Sequence, residues 1–158
     1  MKKVQRRSPT KGNVAKAKSF AWASWRVDDA IGNGYFIEAV AIEESVISDR
    51  LFSYLSGKSK TVRAWKERKA MLGKLLEQWE KTQPPPKLLA AAHAWRALRN
   101  DVVHGVAKSA AGAPTKDVDE MLKNAEHAAR SGGTLMREVM AWHKKELAAD
   151  RKAQKATS

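Results

Sequence analysis

The chain has 158 residues, with 30 Lys+Arg against 17 Asp+Glu, a formal net charge of +13 and a hydrophobic fraction of 43%. That length and apolar content suit one domain with a buried core, which excludes a wholly disordered chain, and the charge calls for a polyanionic partner, nucleic acid first. Cysteine is absent, which excludes disulfides, thiolate metal sites and a Cys nucleophile; no apolar stretch reaches the ~20 residues of a membrane span and no leader-like segment opens the chain, so the expected location is the cytoplasm, with no membrane partner.

From Met1 to Val27 every ionisable side chain is basic, including Lys2, Lys3, Arg6, Arg7, Lys11, Lys16, Lys18 and Arg26. Ser8, Pro9, Gly12 and Asn13 lie among them, so residues 1–18 read as a flexible basic arm. The expected domain covers 19–150, and 151–158 form a polar tail. A first long helix is expected from about Asn33 to Ser56, stopped by Gly57, and a second from Ser59 or Thr61 to Lys81. Pro84-Pro85-Pro86 ends that run, because proline lacks an amide proton and holds its predecessor extended. A third helix spans roughly Lys87–Lys108. A fourth is capped by Thr115 and Asp117, and its apolar phase passes through Gly132-Gly133 without a slip. The glycines then face inward and admit a close neighbour. The expected fold is an all-α antiparallel four-helix bundle. Trp65, Trp79, Trp95 and Trp142 fall at core phase. Trp22 and Trp25 form the one pair suited to base stacking, with burial the stronger expectation.

The third helix carries the chemistry. Leu88, Trp95, Leu98, Val102 and Val106 make its apolar stripe, while His93, Asn100 and His104 fall within about 40° of arc on another side, bordered by Arg96. Imidazole exchanges protons near neutral pH, guanidinium binds phosphate oxygens as charge builds, and an amide orients either. With RNA, the 2′-hydroxyl supplies an internal nucleophile, so no metal or cofactor is expected. The scattered histidines lack ligand spacing, and His127 and His143 read as structural. Arg99 lies roughly 140° around the helix from His104. A two-fold homodimer that faces these helices together would gather both residues into one composite active site.

Arg99-Asn100-Asp101-Val102-Val103-His104 resembles the R-x4-H motif of the HEPN superfamily, including the polar residue after the arginine. The resemblance implies a small dimeric helical bundle and metal-independent endoribonuclease activity, as in toxin–antitoxin and antiviral defence systems. It makes Arg99 and His104 catalytic, with Asn100 in support, and a cognate antitoxin or defence partner is then expected. One subgroup, neutralised by a nucleotidyltransferase antitoxin, has tyrosine two positions after the histidine; Val106 stands there in this chain.

Two carboxylates complete the expected site. Glu43 falls inside the apolar arc of the first long helix and Glu44 on its edge, so Glu43, or Glu44, is expected to pair with Arg99 or Arg96. His93 reads as an RNA contact, a dimer contact or a solvated residue. Gly-rich phosphate loops, Ser-His-Asp orders and paired acidic metal signatures are absent. The alternative function is a non-catalytic basic helical RNA-binding or adaptor protein, a degenerate HEPN domain. A DNA-binding regulator is the weakest reading, for want of a helix-turn-helix signature.

Overall fold

The computed structural model describes residues 11–65, 71–105 and 117–156. Among them all regular structure is helical: α1 (Lys11–Gly32), α2 (Phe36–Lys58), α3 (Lys60–Arg63), α4 (Leu72–Glu80), α5 (Pro86–Gly105) and α6 (Val118–Ala156). No helix of the described residues is long and apolar enough to cross a membrane. The all-α expectation holds, but the division into four helices does not. Residues 1–10 of the expected arm lie outside the described residues, and from Lys11 the chain is already helix. The expected tail is helical to Ala156.

Short signals set the ends of these helices. Gly34, with φ 78°, closes α1 in a left-handed turn. The Gly34 N–H donates to the Ile31 carbonyl (3.2 Å) and the Tyr35 N–H to that of Ala30 (2.8 Å), the paired bonds of a Schellman motif. The Asn33 side chain also donates to the Asp29 carbonyl at 2.8 Å, so Asn33 ends one helix rather than starting the next. Ser59 caps α3 by accepting from the Val62 N–H at 3.3 Å. Trp65 lies after α3, and 66–70, inside the expected second helix, fall outside the described residues. The triple proline breaks the chain at the expected place. The Pro85 carbonyl accepts from the Leu88 and Leu89 N–H groups at 3.0 Å, and Pro86 takes the first helical position, where its missing N–H leaves no bond unmade.

Apolar periodicity sets the faces. In α4, Leu72, Leu75, Leu76 and Trp79 are all buried at i, i+3, i+4, i+7 spacing. Helix α2 is central and packs on α1, α4 and α6 through Ala39, Val40, Val46, Ile47, Leu51 and Leu55. Trp79 and Tyr54 both pack against Trp142 with their rings steeply inclined to it, at centroid distances of 4.9 and 4.6 Å.

Helices α1 and α2 form an antiparallel hairpin, clipped by Lys16–Asp49 and Arg26–Glu38 ion pairs near its two ends. Helices α2 and α6 instead run parallel: Glu43 faces Gly132, Tyr54 meets Trp142, and Lys58 pairs with Asp150 at 2.8 Å. The expected uniformly antiparallel bundle is corrected here. The α4–α5 segment intervenes between α2 and α6 in the chain, which lets α6 set out in the direction of α2. Helix α6 passes through Gly132 and Gly133 as one element, with both glycines buried.

Candidate functional site

Arg99 is the best-anchored polar side chain of α5. Its Nε and Nη2 both donate to Glu44 Oε2 on α2, at 2.8 and 2.5 Å, and its Nη1 donates to Asn100 Oδ1 at 2.8 Å. The paired Arg99 and Glu44 side chains are 20% and 26% exposed, so water still reaches them. A guanidinium has five N–H donors. Three are engaged in these bonds, which leaves one on each terminal nitrogen. Asn100 accepts that bond through its carbonyl oxygen, and among the described residues no hydrogen bond from its amide nitrogen accompanies it. The cluster therefore presents guanidinium N–H donors at a half-buried position beside the Glu44 carboxylate, donors of the kind that suit an anionic oxygen.

Glu44, and not Glu43, pairs with Arg99. Glu43 is fully buried, and neither of its carboxylate oxygens has a hydrogen-bond partner. It lies against Gly132, where a methyl group would overlap both the carboxylate and the Trp95 indole nitrogen. Trp95 Nε1 is committed elsewhere, donating to the Ala128 carbonyl at 2.9 Å. Arg137 is near enough to favour the charged form of Glu43 but is itself paired with Asp28. Burial dominates and pushes the Glu43 pKa up to about 8. Glu43 is thus a neutral core acid at pH 7.

Arg96 takes neither glutamate. Its guanidinium lies over Gly73 of α4, where an added methyl carbon would stand 2.6 Å from Nη2. His93 and His104 are exposed on α5, and Asn100 is half-buried. Among the described residues no hydrogen bond joins His104 to Arg99. The helix continues regularly to Gly105, so the two side chains leave it in different directions. Val106 lies outside the described residues.

His127 is exposed beside a groove of about 510 Å³ between α5 and α6, whereas His143 is buried in the bundle with its pKa lowered by burial and by Arg50. No group of three or more His, Asp or Glu able to hold a metal occurs among the described residues. Trp65 is half-buried, and Trp79, Trp95 and Trp142 are core residues.

The expectation of burial fails for Trp22 and Trp25, which are each 58% exposed on α1. Once 20–32 is granted to be helical, the spacing shows why. Val27, Ala23 and Ala30 make the inner face, and the two indoles fall on the opposite side. A serine-rich strip of α2 that includes Ser45, Ser48 and Ser53 also escaped the sequence reading, because isolated serines on a helix give no periodic apolar signal.

No family model, curated protein sequence or solved structure matches this chain.

Proposed function

We propose that this protein is a HEPN-type, metal-independent endoribonuclease that acts as a toxin or antiviral defence effector. The observation that carries the reading is the fixed Arg99 guanidinium, held by Glu44 and Asn100 with N–H donors to spare, on the same helix as the exposed His104. The six-residue R-x4-H motif supplies the chemical assignment. In the proposed step the RNA 2′-oxygen forms a bond to the adjacent phosphorus while an imidazole takes the hydroxyl proton. The bond from phosphorus to the 5′-oxygen breaks, and that oxygen leaves with a proton from a second acid. The products are a 2′,3′-cyclic phosphate and a 5′-hydroxyl. Arg99 and Asn100 stabilise the charge that builds on the non-bridging oxygens, and His93 lies on the approach along α5.

Arg99 and His104 diverge within one chain, so the working unit is a homodimer in which two α5 helices share a cleft. A cognate antitoxin or defence partner would hold that cleft closed or complete it. The test is RNA incubated with purified protein in EDTA, followed by identification of the new ends. Cyclic phosphate ends produced by wild type and absent with His104→Ala support the enzyme; no cleavage by either rejects it.

The same divergence favours a second reading, a non-catalytic RNA-binding or adaptor protein. Glu44 also offsets part of the Arg99 charge, as suits a residue that only contacts a phosphate. RNA binding without cleavage in that assay supports this reading.

A further inference from the structure

A tryptophan is seldom left bare on a small domain, and α1 presents two. Trp22 and Trp25 are three residues apart, so they emerge on one side of the helix, and the exposed Lys18 sits four residues before Trp22 on that side. No ion pair engages Lys18 among the described residues. Ala21 and Ser24 are the exposed or half-buried neighbours, too small to cover either ring. The sequence up to Val27 has no acidic residue and carries Lys2, Lys3, Arg6 and Arg7 ahead of α1.

Below Trp22 the surface falls into a groove between α1 and α2 of about 370 Å³, with Phe20, Ile42 and Val46 in its lining beside Ser19, Ser45 and the ion-paired Lys16 and Asp49. It continues into a second groove of about 670 Å³, which shares Lys16, Ser45 and Asp49 with the first and adds Ser48, Ser53 and Ser56. Ser48 is one helical turn after Glu44, hence on the same face of α2, and Glu44 holds Arg99. Aromatic rings, a lysine with no ion pair among the described residues, and a groove with an apolar floor and a serine edge therefore share the α1–α2 surface, and that edge comes within one helical turn of Glu44.

We propose that the Trp22–Trp25 ledge and the adjoining α1–α2 groove bind single-stranded nucleic acid, with bases stacked on the indoles and the backbone led towards Arg99. Base stacking on exposed aromatics tolerates any sequence, and lysines beside them contact phosphates. An anionic membrane fits less well, because an interfacial helix buries a continuous face of large apolar side chains; here the exposed or half-buried neighbours of the two rings are Lys18, Ala21 and Ser24. The ledge deepens the reading of RNA as ligand and does not need cleavage to occur.

The probe is a fluorescein-labelled oligouridylate whose ribose 2′-oxygens are methylated, which removes the nucleophile and hence any cleavage. Fluorescence anisotropy compares the full-length wild type with Trp22→Ala/Trp25→Ala, Trp22→Phe/Trp25→Phe and Lys18→Ala. The alanine double variant should bind at least about 10-fold more weakly, with the phenylalanine variant in between. Both indoles are exposed, so melting temperatures should stay at the wild-type value; if the alanine variant is destabilised, the phenylalanine variant decides. Unchanged oligonucleotide affinity overturns the proposal. So does unchanged affinity accompanied by a shift from dimer to monomer, or by loss of binding to phosphatidylserine vesicles, since either outcome assigns the rings to another occupant. A protein that binds this probe through its tryptophans yet leaves unmodified RNA intact keeps the ledge and loses the ribonuclease reading. Cleavage with affinity indifferent to both tryptophans does the reverse.

Discussion

Ionising Glu43 would put a carboxylate between Gly132 and the Trp95 indole with neither oxygen hydrogen-bonded, and that cost outweighs the help of Arg137 and appears as a pKa of about 8 against an ordinary 4.5. The sign follows from which state holds the proton. Between pH 4.5 and 8 the folded protein keeps it and the unfolded chain does not, so stability falls as pH rises through that window and levels off above it. The full effect is on the order of a few kcal/mol. Glu43→Gln should flatten thermal stability across this window and melt higher than wild type above pH 8; parallel pH curves for the two proteins would contradict the neutral core acid. Glu44 has the opposite task, fixing the Arg99 guanidinium from a half-buried position that water still reaches. Glu44→Gln should lower RNA cleavage by about 10-fold or more through loss of a charged hydrogen-bond acceptor, while stability changes by no more than about 1 kcal/mol. Wild-type cleavage rates in this variant would remove Glu44 from the site. The sequence pattern brought Arg99 and a neighbouring carboxylate into one hypothesis, because Glu43 falls inside the apolar arc of α2 and Glu44 on its edge. Which of two adjacent carboxylates reaches α5 depends on how α2 is rotated against α5, a tertiary quantity that no spacing within α2 encodes.

The elements differ in how openly the sequence announces them. Helix α4 follows its leucines and tryptophan, α5 follows the proline stop, and α6 keeps its apolar phase through both glycines. Helix α1 was missed because a run of basic residues with Pro9 and Gly12 nearby reads as an arm, although Ala and Lys from Val14 onward are good helix formers. The two glycines of α6 provide a test at this scale. At Gly132 an added methyl meets Glu43 and Trp95, both fixed in the core, whereas at Gly133 the nearest atoms stand at 3.5 Å or beyond, ordinary contact distances. Gly132→Ala should destabilise by about 1–3 kcal/mol through overpacking, even against a helix-propensity gain of roughly 1 kcal/mol. Gly133→Ala should be neutral or stabilising. Urea denaturation of the pair measures this, and equal midpoints would contradict the close approach of Glu43 to α6.

At the scale of the whole molecule, the net charge of +13 no longer describes a uniform cationic surface. Arg26, Arg50, Arg99, Arg130 and Arg137 are tied into ion pairs, and Lys18 stands clear beside two exposed tryptophans. The all-helical architecture was readable from composition and punctuation. The parallel course of α2 and α6 was not, because chain order alone does not say which helices become neighbours. A single chain holds its arginine and its histidine apart, so a ribonuclease built from this motif must join two copies. Light scattering at micromolar concentration should therefore give a dimer. RNA cleavage in EDTA, measured for wild type, for Arg99→Ala, for His104→Ala and for the two variants mixed, tests the shared site most directly. The predicted result is cleavage to 2′,3′-cyclic phosphate ends by wild type, none by either variant alone, and partial activity regained on mixing. Silence from wild type, or undiminished cleavage by His104→Ala, would contradict it.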